Sequence, residues 1–219
     1  MTATSSPAST AIAASLLASD LVDDAYALLL DESRPQMGAA VVPSAQGWAM
    51  VDAHDRVNYT ETLGGLLAGT IEASALPRHW RLVWALPRNA QGETTDASVQ
   101  ALFDPRRPYA RMLDRQGDCV TLAVEIDAAS PYMEGHFDQA PVLAGVVQIE
   151  WAVRFGRELF NVGDDFRCME ALKFQKVIRP GDAVEMVLQW NRDAATLTFG
   201  FSSQAGRHSS GRIVFGATA

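Results

Sequence analysis

The run Gly145–Phe160, reading GVVQIEWAVRFGRELF, is apolar on nearly every face over its first turns. A helix of that composition is buried by its surroundings and cannot simply lie on a surface. Its surroundings must therefore supply a second layer, and the flanking sequence reads as strand. Val120, Leu122, Val124 and Ile126 alternate with Thr121, Ala123 and Glu125, and Val184, Met186, Leu188 and Trp190 alternate likewise up to an Asn191-Arg192-Asp193 turn. Thr196–Phe201 and Arg212–Phe215 add short strands separated by Gly- and Ser-containing turns. One long buried helix with an antiparallel sheet is an α+β layer arrangement.

The helix start also carries the chemistry. His136 stands between Gly135 and Phe137 in a stretch that ends at Pro141, so it belongs to a loop or strand end that can aim a side chain at a pocket. Its imidazole can take up a proton near neutral pH. Glu150 lies inside the helix, fourteen residues on, and its neighbours at three and four positions are Val146, Val147, Val153 and Arg154. Three apolar neighbours predict desolvation and a raised carboxyl pKa, unless Arg154 folds back onto it. A protonated carboxyl that delivers a proton and a neutral histidine that removes one suit an elimination or addition across adjacent carbons. Gly145 would offer a backbone N–H with the positive end of the helix dipole behind it, a donor suited to the enolate oxygen of a thioester. Taken singly, a histidine after glycine is more often structural, and a buried glutamate is more often paired with arginine.

The wording of the motif decides between these. Gly135-His136-Phe137, then Pro141-Val142-Leu143-Ala144-Gly145, then Glu150 resembles the pattern of the hot-dog-fold 3-hydroxyacyl-[acyl-carrier-protein] dehydratases. Leu172-Lys173-Phe174 followed by Val177-Ile178-Arg179-Pro180-Gly181-Asp182 is similar to the strand and PGD turn that follow the helix in that family. The VVQIEWA wording and the closing His208–Gly216 segment look most like the branch associated with aryl-polyene pigments. The resemblance covers residues 108–219. It implies a hot-dog fold, an antiparallel sheet wrapped around the central helix. It makes His136 the base at C2, the Gly145 N–H the oxyanion donor and Glu150 the acid for the leaving hydroxyl, with Phe137, Val142, Leu143 and Val146 as substrate-binding residues. It further implies no cofactor, a substrate carried on the phosphopantetheine of acyl carrier protein, and a homodimer or hot-dog hetero-oligomer whose pockets take His and acid from different subunits. Two positions depart from the pattern. Asp138 replaces the usual proline after GHF and adds a negative charge near His136, and Ala144 replaces the proline before the helix glycine. A hot-dog thioesterase and a non-catalytic carrier-protein adaptor are the rival functions.

The first hundred residues read differently. Asp20–Pro43 looks like a helix end followed by two strands, and Thr62–Ala73 like an amphipathic helix. Leu86-Pro87-Arg88, with Gly92-Glu93 downstream, is similar to the LPR…GK motif in the small C-terminal subdomain of acyl-adenylate-forming ligases. Glu93 stands where the catalytic lysine would be, which reverses the electrostatics a carboxylate substrate needs, and the large ATP-binding domain of those enzymes is missing from this chain. The expected organisation is a degenerate ligase-like α+β subdomain over 1–103, a linker Asp104-Pro105-Arg106-Arg107-Pro108, and a hot-dog domain over 108–219.

Charge and composition narrow the partners. The net charge of −8 divides into −6 over residues 1–103 and −2 over 104–219, which argues against nucleic acid. Arg154, Arg157, Lys173, Lys176 and Arg179 could form a local basic patch for an acidic carrier protein, although each is more often an ordinary solvated charge. The apolar runs are too short to span a membrane, and the N-terminus lacks a basic secretory n-region. Cys119 and Cys168 show no metal spacing, so free thiols in the cytoplasm are expected.

Overall fold

The structure is a computed structural model, and it describes residues 6–31, 36–89, 91–134 and 141–216. The chain divides into two compact units, Met1–Asp104 and Pro105–Ala219.

In the first unit, strands β1 (Val22–Leu29) and β2 (Met37–Pro43) pair antiparallel, and β3 (His79–Leu82) adds parallel to β2. Helix α1 (Pro7–Leu17) begins at a Ser6 N-cap whose side chain accepts from the Ser9 N–H, and it packs on β1. Helix α2 (Ala45–His54) follows β2, and α3 (Arg56–Leu67) follows at once from an Asp55 cap with φ of 104°. Alternation along β2 sends Ala39 and Val41 to one face and Ala40 to the other, and all three are fully buried. The Ala40 face meets the short helix α4 (Asp96–Gln100) through Leu28, Val83, Leu86, Val99 and Leu102. The helix expected over Thr62–Ala73 is instead Arg56–Leu67, since Gly69 and Thr70 form a turn and only a single 3-10 turn occurs at Ala73–Ala75.

The second unit is a hot dog. Its six-stranded antiparallel sheet runs β4 (Ala110–Gln116), β5 (Cys119–Glu125), β7 (Ala183–Asn191), β8 (Thr196–Ser203), β9 (Gly206–Phe215), β6 (Phe166–Phe174) in spatial order. Helix α5 (Gly145–Phe160) lies on one face. The inward set Val120, Leu122, Val124, Val184, Met186, Leu188, Leu197, Phe199, Phe201 and Ile213 is buried, as the period-two pattern requires. Opposing them are Val147, Trp151, Ala152, Phe155 and Leu159 of α5. Gly156 allows the close crossing, because a Cβ there would sit 2.5 Å from Leu197 Cδ2. The helix closes on Asn161 in the left-handed region, φ 53°, whose N–H returns to the Arg157 carbonyl.

One expectation needs correcting. Helix α5 is amphipathic rather than buried all round, because one sheet covers only one of its sides. The segment expected as the linker, Asp104–Pro108, includes residues that pack on the second unit. Arg107 is buried and grips Glu158 of α5 through two bonds of 3.1 and 2.9 Å, and the Arg106 carbonyl accepts from Trp151 Nε1 at 3.1 Å.

Candidate active site

The start of α5 is built from three segments of the second unit. Ala144 caps it in extended geometry without a side-chain bond, and its carbonyl accepts from Val147 and Gln148. The N–H groups of Gly145 and Val146 therefore precede the first helical bonds and carry the positive end of the dipole. The turn leading in is pinned at Leu143, whose N–H donates to the Ile178 carbonyl at 2.9 Å. Ile178 is fully buried and opens the Arg179-Pro180-Gly181-Asp182 turn. That turn holds its shape through Arg179 N–H to Asp182 Oδ2 at 2.7 Å, Gly181 at φ 84°, and Gly181 N–H to the Ile126 carbonyl beyond β5. The PGD landmark thus ties β5 to the helix entrance.

Gly145 is required by a neighbour. A Cβ there would lie 2.6 Å from the Phe174 ring, so the last residue of β6 closes over the first residue of α5. Val142 is half-buried, Leu143 is buried, and Val146 is 70% exposed on the open side of the helix. His136 and Phe137, like Asp138, lie outside the described residues.

Glu150 sits one turn beyond Val146 with its side chain 43% exposed. Its expected desolvation by Val146, Val147 and Val153 is not found in the single chain: Val147 points into the core, while Val146 and Glu150 share the uncovered face. Arg154 approaches it only at 3.9 Å. The close partner is Tyr132, whose hydroxyl donates to Glu150 Oε1. Burial, then the hydrogen bond to Glu150 and its charge, push the Tyr132 phenol up to about 12. The ring is held edge-on to Trp151, with centroids 6.4 Å apart.

Sequence reasoning passed over three residues that shape this site: Tyr132, Gln148 and Ser209. Gln148 had a visible signal, since an amide inside the apolar run GVVQI must place both of its polar ends. Tyr132 and Ser209 had none, because their partners are eighteen and sixty-one residues away. Of the basic residues considered, Arg157 pairs with Asp164 at 3.0 Å and Lys176 donates to the Ala205 carbonyl, while Lys173 and Arg179 are exposed. In the first unit, the Asn89–Glu93 turn closes through Asn89 Oδ1 to the Glu93 N–H at 2.8 Å, with Glu93 exposed.

Known dehydratases are similar to part of this chain. The ApeI-like family model, described as ApeI dehydratase, matches residues 113–212. The 3-hydroxyacyl-[acyl-carrier-protein] dehydratase FabZ of Levilactobacillus brevis is 31% identical over 111 residues, covering 43% of this chain and 74% of that protein. The chain belongs to this dehydratase family. The namesake from Oleidesulfovibrio alaskensis is also 31% identical, over 101 residues, covering 40% of this chain and 66% of its own length. Among solved structures, the dehydratase heterocomplex ApeI:P from Xenorhabdus doucetiae is 26% identical, covering 49% of this chain and 96% of that one at a TM-score of 0.46. Family membership makes the enzyme class that of a dehydratase, a lyase. No helix among the described residues is long and apolar enough to cross a membrane.

Proposed function

We propose that the chain removes water from a 3-hydroxyacyl thioester held on the phosphopantetheine arm of acyl carrier protein, giving the trans-2-enoyl thioester, in fatty-acid or aryl-polyene-type biosynthesis. Membership of the 3-hydroxyacyl-[acyl-carrier-protein] dehydratase family carries this reading. His136 takes the C2 proton, and negative charge moves onto the thioester oxygen, where the Gly145 N–H and the α5 dipole stabilise it. The C3–O bond then breaks, and the hydroxyl leaves as water with the proton supplied by Glu150. Val142, Leu143, Val146 and Phe137 line the acyl chain. No step needs a metal or redox cofactor, and the reaction is cytoplasmic.

The pocket is completed by a second subunit, identical or homologous, docked on the outer edge of β6. Every residue of β6 is exposed in the single chain, including Phe166, Met169, Leu172 and Phe174. An uncovered apolar edge strand is a template for another strand. Phe174 lies on that edge and also closes over Gly145, so the docked subunit would reach the helix start and cover Val146 and Glu150. The first unit, whose sequence resembles the ligase subdomain but carries Glu93 in place of the lysine, has no ligase activity and either docks or orients the dehydratase or has a structural role alone.

The test is to incubate the protein with a 3-hydroxyacyl carrier thioester and follow its mass. Loss of water supports the proposal. Release of free thiol would make the protein a thioesterase, and no change would make it an adaptor. His136→Ala and Glu150→Gln should each lower turnover by about 10²–10⁴-fold while leaving the oligomer intact. Wild-type rates in either variant would remove that residue from its assigned role.

A further inference from the structure

The Gln148 carboxamide is a buried polar group on the face of α5 turned away from the reacting groups, and the dehydration as proposed gives it no chemical role. Gln148 is 3% exposed and Ser209, opposite it on β9, is fully buried. Gln148 Oε1 accepts from Ser209 Oγ at 2.6 Å, and Nε2 donates to the Leu143 carbonyl at 3.2 Å. The first bond ties the amide to the sheet. The second reaches back five residues to the turn that delivers Gly145.

We propose that Gln148, held by Ser209, is a positioning residue that sets the direction of the Gly145 N–H. Leu143 is restrained on both sides of its residue: its N–H is fixed to Ile178 and its carbonyl to Gln148. Only Ala144 separates that carbonyl from Gly145, and Ala144 brings no side-chain cap of its own. The carboxamide therefore replaces the cap that a Ser, Thr or Asp would give, but acts on the turn instead of on the helix N–H groups. This leaves the Gly145 N–H available to substrate. An apolar residue at 148 would strand both the Ser209 hydroxyl and the Leu143 carbonyl in the core. The turn could then rotate to find new partners and carry the N–H with it. A donor aimed at charge that develops only in the transition state affects turnover more than binding.

This inference rests on the dehydratase reading, and the experiment separates the two. Steady-state dehydration of a 3-hydroxyacyl carrier thioester is measured for the wild type, Gln148→Met, Ser209→Ala, Ser209→Thr and the Gln148→Met/Ser209→Ala double variant. In parallel, the Gly145 amide is followed by its nitrogen–proton NMR resonance and hydrogen-exchange rate. We expect Gln148→Met to lower kcat by about tenfold or more with KM little changed, consistent with loss of an aimed donor. Ser209→Ala should fall part of the way and Ser209→Thr should recover. The double variant should be no worse than Gln148→Met, since the two residues act as one unit. In Gln148→Met and Ser209→Ala the Gly145 resonance and exchange rate should move. If Gln148→Met does not fold, the Ser209 pair carries the same comparison. Wild-type protein that leaves the thioester unchanged would refute the dehydratase reading, and the Gly145 amide would still decide the positioning. An unmoved Gly145 resonance, wild-type kcat in the folded variants, or a rise in KM alone would overturn the inference.

Discussion

Replacing Glu158 by Gln tests how the chain enters the hot-dog unit. The Arg107 side chain is 3% exposed and that of Glu158 29%. Two bonds, Arg107 Nε to Glu158 Oε1 at 3.1 Å and Nη2 to Oε2 at 2.9 Å, form a fork-to-fork pair, and the guanidinium carbon also lies 5.2 Å from the Phe155 ring centroid. Removing one partner of a buried pair costs about 3–5 kcal/mol, because the remaining charge stays desolvated. Glu158 is partly reached by water and Phe155 retains some attraction for the cation, so Glu158→Gln should cost about 2–3 kcal/mol. Arg107→Met should cost less, since the carboxylate left behind can hydrate. Arg107→Met/Glu158→Leu should come nearer to wild type than Glu158→Gln does, because both desolvated charges are then gone. Five tryptophans are spread over both units, so total fluorescence does not report one unit alone. Hydrogen exchange of the α5 peptide across a urea gradient does. The midpoint should fall by about 1 M in Glu158→Gln, given a slope of about 1–3 kcal/mol/M. A shift under about 0.5 kcal/mol, or a double variant worse than both singles, would refute the argument.

Further tests address the tyrosine and the edge strand. The Tyr132 phenol is raised to about 12, so its contact with Glu150 contributes stability that is complete below about pH 10 and lost as pH rises toward 12. Tyr132→Phe should remove one late-titrating phenol from the tyrosinate absorbance curve, and an unchanged late amplitude would show that Tyr132 ionises normally. Met169→Lys puts a charge on the exposed β6 edge, outside the reacting groups. It should shift sedimentation toward the monomer and lower activity in proportion. Full activity in a demonstrably monomeric variant would rule out a pocket completed by a second subunit.

Strand alternation placed Val120, Leu122, Val124, Val184, Met186 and Leu188 in the core correctly, because a period of two leaves each side chain one choice of face. The helix Gly145–Phe160 was equally legible from its apolar run, and in the structure it closes on a left-handed Asn161. The packing of Arg107 was not legible, because prolines and arginines look the same in a solvated segment and in a strap gripping Glu158. Helix α2 was missed because AQGWAMVDAH has no clear apolar stripe, and it forms where Ser44 caps it after β2.

Sequence alone determined the hot-dog half and its family, since the motif and the periodicities are local patterns that survive without coordinates. Tertiary structure decided what each of the described site residues faces. It turned Glu150 and Val146 to the uncovered side of α5, set Tyr132 on the carboxylate, laid Phe174 over Gly145 and gave Gln148 its hold on Leu143. Those relations depend on which strand lies beside which and on how closely the helix crosses the sheet. Both are set by packing between segments far apart along the chain, and no spacing within one segment encodes them.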